Sequence, residues 1–311
     1  MKRFLLNTLY ILLPLLLIAG IMEVLLQHIP NDYKYKKEYL EKNAENIETL
    51  ILGSSHAFFG LNPIYFSKKT FNTSNISQSL NYDYQIVNKY LNNSTSLRTI
   101  ILPISYFTLF GKLEEGEEAW RVKNYVLYYR LNTATKLTNY SEIFSNKFTV
   151  NFDRLYAYYI KNESSISCST LGWGLNYKST NAQDLSKTGK IASERHTRKD
   201  IHSIESQIIF NENITILQSL IEWCISRNVN IVFITPPAYK TYTQCLNKEQ
   251  LSITVETIND ICSQYPNCTY LNLLNDTNFV AKDYYDADHL SEIGAKKLSI
   301  KMNEILNTQL E

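Results

Sequence analysis

From Phe4 to Met22 the chain carries no charged residue, and after Glu23 the apolar character continues through Val24, Leu25 and Leu26. At about 1.5 Å of rise per residue such a run is close to the roughly 20 residues that cross about 30 Å of hydrocarbon, so it predicts a helix that spans a membrane. The competing reading is a cleaved signal peptide, since Lys2 and Arg3 precede the apolar stretch. No small-x-small cleavage site follows before the polar break at His28-Ile29-Pro30-Asn31, which favours an uncleaved anchor over residues 1–26, beginning in a short cytoplasmic tip. Flanking charge does not orient it, because Lys34, Lys36 and Lys37 offset Lys2 and Arg3.

The remaining chain has the composition of a globular protein. Its 311 residues suffice for one large domain or two small ones, and 44% hydrophobic content supplies a core. Thirty-one Lys and Arg against 30 Asp and Glu leave a net charge of +1 with no basic block, which excludes a nucleic-acid partner. Twenty-three tyrosines offer faces for stacking on sugars or acyl chains, although coding bias toward Tyr, Asn, Lys and Ile gives the same count. Five cysteines include no CxxC pair of the kind that holds a metal, and no cofactor is expected. Cys262 and Cys268 are close enough in sequence to join a helix end to the next strand in an oxidising compartment; buried free thiols are the alternative.

Residues 27–46 read as a charged, tyrosine-containing stalk. Beyond it, apolar segments alternate with helical patterns: strands at 50–52, 70–72 and 99–104 around a helix at 78–91, then helices at 214–226 and 248–263 around a strand at 230–235, a strand at 269–274, and a closing helix at 291–306. Ser291 and Glu292 suit the start of that last helix. Strictly alternating β and α segments predict an α/β domain over 47–311 with a parallel sheet, whose ligands sit beyond the carboxyl ends of the strands. Between about 111 and 206 the alternation lapses into a polar, tyrosine-rich stretch that reads as an insertion without long hydrophobic periodicity.

Two polar motifs fall at the expected reactive edge. Gly53-Ser54-Ser55-His56 follows the first strand directly and places Ser55 at a helix start, where unpaired N–H groups favour negative charge. Alone, a Gly-Ser-Ser turn is an ordinary helix cap, and serine needs a positioned base. Asp286-Ala287-Asp288-His289-Leu290-Ser291 lies in the loop after the last strand. In its D-x-x-H spacing Asp286 turns back to the His289 ring and fixes its tautomer, leaving the other nitrogen for a serine. Asp288 is the alternative acid, disfavoured because adjacent side chains diverge. His56 is expected to point away from Ser55 on its helix and is not counted as the base. His28 and His202 look incidental.

Together these motifs resemble the SGNH/GDSL hydrolase superfamily, in which a Gly-x-Ser block opens the domain and a D-x-x-H block precedes the last helix. Here they are Gly53-Ser54-Ser55 and Asp286-Ala287-Asp288-His289, the latter extended as D-x-x-H-L-S-x-x-G to Gly294. The resemblance implies a doubly wound, flavodoxin-like sheet flanked by helices and a Ser55–His289–Asp286 triad. It departs from the family pattern at Ser54, where Asp is common, and at the two blocks that supply oxyanion donors. Asn72 to Gln78 contains no glycine and Pro103-Ile104-Ser105-Tyr106 no asparagine, so Ser77 and Ser105 stand in as donors. His196, in Glu194-Arg195-His196, is a candidate for the acceptor side, against the reading of a solvated polar loop.

An apolar anchor joined to such a domain is similar to bacterial envelope proteins that transfer or remove acyl groups on surface polymers, including teichoic acids and exopolysaccharides. That similarity implies a single-pass protein of the cytoplasmic (inner) membrane, an extracytoplasmic catalytic domain, an acylated polysaccharide or polymer as substrate, and a multi-spanning membrane acyltransferase as partner. Two other classes compete: a catalytically weak glycan-binding assembly protein, and a lipase-like hydrolase, against which the polar insertion argues.

Overall fold

Short apolar segments such as Ile100-Ile101-Leu102 and Ile231-Val232-Phe233-Ile234 suit strands covered on both faces, and among the described residues five strands form one wholly parallel sheet. The computed structural model of the protein describes residues 1–133 and 136–309; residues 134–135 of the expected insertion and 310–311 at the end of the expected domain lie outside the described residues. Strands β1 (Thr49–Ile51), β2 (Thr70–Asn72), β3 (Thr99–Pro103), β4 (Asn230–Thr235) and β5 (Cys268–Asn272) lie in the order β2-β1-β3-β4-β5. In register, Thr49 pairs with both Thr70 and Thr99, Thr99 with Asn230, and Ile231 with Cys268. This is the expected doubly wound, flavodoxin-like sheet. The chain turns outward in opposite directions from β1, so the crevice at the switch point opens between the ends of β1 and β3.

Twelve α-helices occur among the described residues: α1 (Lys2–His28), α2 (Asp32–Asn43), α3 (Ser55–Gly60), α4 (Leu80–Tyr90), α5 (Val122–Leu127), α6 (Glu142–Ser145), α7 (Phe148–Tyr159), α8 (Leu185–His196), α9 (Ile204–Ile225), α10 (Lys240–Thr243), α11 (Lys248–Ser263) and α12 (Glu292–Gln309). Helix α1 is long and apolar enough to cross a membrane. Helix α9 starts ten residues before the sequence pattern indicates, because the Ser203 side chain accepts the Ser206 N–H at 3.2 Å and caps it upstream of the apolar periodicity.

The chain divides into two compact units, one of Met1–Lys37 with Glu117–Ser167, the other of Glu38–Gly116 with Cys168–Glu311. Of the segment expected as an insertion, 117–167 belongs to the first and 168–206 to the second. In the first, Tyr33, Tyr125 and Tyr129 pack ring to ring, with Tyr33 and Tyr125 edge-on at 5.3 Å. The second holds the sheet. Its core joins Ile51, Ile101, Val232 and Ile234 from the strands to Leu298 and Met302 of α12. A disulfide joins Cys262 at the end of α11 to Cys268 at the start of β5.

Helix α12 packs against α3, and its entry is fixed by backbone contacts. The Ser291 N–H donates to the Asp283 carbonyl at 2.9 Å, and the Ser291 hydroxyl accepts the Gly294 N–H at 3.5 Å. A Cβ on Gly294 would collide with the Asp283 carbonyl oxygen, which is why the motif ends in glycine. Gly294→Ala is expected to lower stability by about 1–3 kcal/mol, the range for overpacking a tight contact, measured by denaturant unfolding. An unchanged midpoint would show that the helix shifts freely.

Candidate active site

The loop after β1 is shaped by Gly53, whose φ of 107° is open to glycine and strained for other residues. Its N–H donates to the Asp83 carboxylate at 2.8 Å, and Gln78 donates to the same oxygen at 2.6 Å. Burial nonetheless raises Asp83 to about 7, against the pull of those two donors. This anchor presents Ser55 as the first residue of α3, partly open to solvent.

The opposing loop folds on its own carboxylate. Asp286 Oδ1 accepts the backbone N–H groups of Asp288 at 3.1 Å and His289 at 2.8 Å, and an antiparallel bridge between Tyr284 and Leu290 closes the loop. This is the physical content of the D-x-x-H spacing: the acid organises the turn and so arrives beside the ring. His289 Nδ1 lies 3.0 and 3.2 Å from the two Asp286 oxygens, and its Nε2 lies 2.8 Å from Ser55 Oγ. The parallel sheet thus brings together side chains 234 positions apart.

Asp288 does not diverge as expected. Its Oδ1 stands 3.5 Å from His289 Nδ1, while Oδ2 faces His56 Nε2 at 3.5 Å, Arg195 at 3.5 Å and His196 Nδ1 at 3.8 Å. His56 likewise turns into the site: its Nδ1 is 2.5 Å from Ser105 Oγ and its ring centroid 4.7 Å from that of His289. A second chain of polar contacts, Ser105–His56–Asp288, therefore runs beside Ser55–His289–Asp286.

Burial opposes protonation of His289, but the Asp288 and Asp286 carboxylates outweigh it and raise the ring to about 10. Burial holds His56 below its ordinary value despite Asp288, and holds His196 well below. Asp288, for which burial is outweighed by His289, stays well below the usual carboxylate range. The neighbouring carboxylates thus favour the protonated form of His289, while burial disfavours it at His56 and His196. The ligand-type atoms of His56, Asp288 and His289 lie within 4.8 Å of one another, a spacing a metal also uses. Both ring nitrogens of His289 are already engaged by Ser55 and Asp286, so the group reads as an ion-pair network.

Residues 168–197 close over these loops. Gly174 N–H donates to the Phe58 carbonyl at 2.8 Å and the Trp173 indole to that of Phe59 at 2.7 Å. On the other side Gln183 N–H donates to the Tyr285 carbonyl at 2.6 Å, and Ala287 N–H to Thr188 Oγ1 at 3.1 Å. The segment stacks Tyr177 between Phe59 and Tyr285, at 3.6 and 3.9 Å, with its ring edge-on to His289 at 5.3 Å. It also carries Arg195 and His196. His196, read from sequence against a solvated loop, ends α8 with its side chain 13% exposed, bonded to the Tyr242 hydroxyl at 2.9 Å and packed 4.0 Å from Phe107.

The two expected oxyanion donors are placed differently. Ser105 commits its hydroxyl to His56 and its N–H to Thr108 Oγ1 at 2.9 Å. Ser77 adopts φ 59° in the turn after β2, a turn tied to the loop before Ser55 by the Asn75 N–H donating to the Gly53 carbonyl at 3.3 Å. Tyr177 and Tyr242 had no sequence signal, since Tyr177 reaches the site through the packing of the 168–197 segment and Tyr242 of α10 through its contact with His196.

No protein-family profile matches the chain, and no curated protein does. Among solved structures, a Streptococcus pneumonia protein provisionally described as a platelet activating factor is 13% identical. That match covers 96% of this chain and 98% of the other, with a TM-score of 0.45. A Bacteroides fragilis protein provisionally described as an acylhydrolase is 8% identical over 88% of this chain and 96% of its own, with a TM-score of 0.43. The chemistry of the site rests on its own geometry.

With His289 raised by two carboxylates, kcat/KM of a reaction using this ring as base should climb with pH until the ring deprotonates. Asp288→Asn removes one of them, so the acidic limb of the pH–rate profile is expected to move down by about one to three units. A limb that stays in place, in a variant with an unchanged circular dichroism spectrum, would show that Asp288 does not act on His289.

Proposed function

We propose that the protein is a membrane-anchored serine esterase or O-acyltransferase that acts on an acylated cell-envelope polysaccharide or related polymer. The observation that carries this reading is the continuous contact from Ser55 Oγ through His289 to the Asp286 carboxylate. In the proposed reaction the neutral ring of His289, whose population grows as pH rises toward its raised pKa, takes the Ser55 proton at Nε2 as the oxygen attacks an acyl carbonyl, and then returns it to the departing alkoxide. An acyl ester on Ser55 remains. A second hydroxyl, from a sugar or from water, gives its proton to His289 and takes the acyl group, restoring the serine.

The first-turn N–H groups of α3 and the Ser77 turn are the proposed donors to the tetrahedral oxyanion. Ser105, with both polar groups committed, is proposed to orient His56. The aromatic wall of Phe59, Tyr177 and Tyr285 suits the flat apolar face of a sugar ring or an acyl chain, and His196 with Arg195 forms the proposed acceptor side. Within the proposed catalytic domain, 47–311, the site lies in the unit of 38–116 and 168–311, and the proposed stalk, 27–46, includes α2 with Tyr33, Lys36 and Leu40 buried. The Cys262–Cys268 disulfide supports a compartment outside the cytoplasm, since such bonds persist where conditions are oxidising. A multi-spanning acyltransferase in the same membrane is the proposed donor partner.

Ser55→Ala and His289→Ala are each expected to lower turnover of a short-chain acyl ester at least about a thousandfold with folding intact, because nucleophile and base act as a unit. Loss in Ser54→Ala with full activity in Ser55→Ala would move the nucleophile. Mass spectrometry of envelope glycans with and without the intact protein then separates acyl gain from acyl loss. For topology, alkaline phosphatase fused after Glu311 is expected to be active, since it folds where disulfides form. An inactive fusion, with a fluorescent reporter maturing at the same site, would place the domain in the cytoplasm and remove the envelope substrate.

A further inference from the structure

Helix α7 is built inside out for a helix in water. Its inner face is polar. Arg154 donates to the Glu142 carboxylate at 2.6 Å, Lys123 pairs with the same carboxylate, and the Tyr128 hydroxyl donates to it at 2.5 Å. Asn151, 1% exposed, donates to the Glu142 carbonyl at 3.2 Å. The outer face is apolar. Phe148, Phe152, Tyr156 and Tyr159 recur at i, i+4, i+8 and i+11 as one stripe, exposed by 67%, 55%, 46% and 41%, and Phe144 of the preceding helix α6 is 76% exposed. A surface helix of a soluble domain shows the reverse arrangement.

The neighbour of this stripe is the apolar helix α1, which packs against α6 and α7 in the same compact unit. The Glu23 side chain accepts the Ser141 hydroxyl at 2.7 Å and the N–H groups of Glu142 at 2.8 Å and Ile143 at 3.0 Å. The Tyr159 hydroxyl donates to the Leu25 carbonyl at 3.0 Å. These ties fall where α1 changes surroundings, from exposed residues such as Leu17 and Ile18 to Leu26, which is fully buried. That is the level at which a spanning helix leaves the hydrocarbon, and aromatic side chains gather there because their rings are apolar and their hydroxyls wet. An apolar protein groove is the rival occupant, but continuity with a span favours lipid.

We propose that the outer face of α7 is a lipid-docking surface, seated in the headgroup and acyl-chain boundary of the same bilayer that α1 crosses. The proposal rests on the membrane-anchor reading and adds a second contact to it. The test uses the full chain in vesicles of phosphatidylethanolamine and phosphatidylglycerol, with the photoreactive p-benzoylphenylalanine in place of Phe152 or, separately, of Leu13 within α1. Both probes are expected to form lipid adducts on irradiation. Adding Phe148→Ser should cut the adduct at 152 about tenfold, since losing the burial of one phenylalanine is worth at least that factor in an equilibrium, and should leave the adduct at 13 unchanged. Phe148→Leu should keep it. Lipid adducts from 13 but not from 152 overturn the docking and leave the anchor standing; adducts from neither remove both. An adduct from 152 to polypeptide rather than lipid, in vesicles or in isolated cell membranes, overturns the proposal in favour of a protein partner.

Discussion

Two carboxylates buried beside one imidazole set the terms for the rest of the site. Asp286 and Asp288 are 9% and 4% exposed, and an unpaired carboxylate at that depth would be costly. Asp286 is compensated locally by two backbone N–H groups of its own loop. Among the described residues Asp288 has no such backbone donors and draws on side chains: His289 beside it, His56 from α3, and Arg195 and His196 from α8. The demand for compensation thus explains why so many cationic or imidazole groups converge on one short loop.

The same convergence gives the 168–197 segment its place. It bonds to the backbone of Phe58 and Phe59 in the helix that starts at Ser55 and to Tyr285 and Ala287 in the loop that carries His289, so one piece of chain ties together the two segments that meet in the site. Positioning of this kind matters because proton transfer depends on contact near 3 Å. The aromatic stack of Phe59, Tyr177 and Tyr285 takes one residue from each of the three segments, which couples the wall of the site to the loops that carry its chemistry.

The two compact units follow opposite burial rules. Around the sheet, apolar strands and helix faces are covered. In the first unit, the Lys123, Glu142 and Arg154 charges are turned inward while aromatic side chains stand outside, next to a helix that exposes leucines along most of its length. One chain with two such rules is consistent with two solvents, water for one unit and lipid for part of the other, as proposed.

The sequence alone determined the fold class, because period and length decide it. Continuous apolar runs of three to six residues between helical patterns leave only a parallel, helix-covered sheet, and a charge-free run from Phe4 to Met22 leaves a helix long enough to span. It also brought Ser55, His289 and Asp286 forward, since a turn glycine after the first strand and a D-x-x-H loop before the last helix are local patterns. Tertiary structure alone decided the rest. The direction of His56 depends on Ser105 at the end of another strand, the sharing of Asp288 depends on side chains about 90 and 230 positions away, and the stripe on α7 shows as exposed only once Glu142 has gathered its cations inward. The stripe on α7 is periodic in sequence, but neither its exposure nor the other two arrangements is. They are set by which charges can be buried together, a condition met between distant segments and invisible to any local pattern.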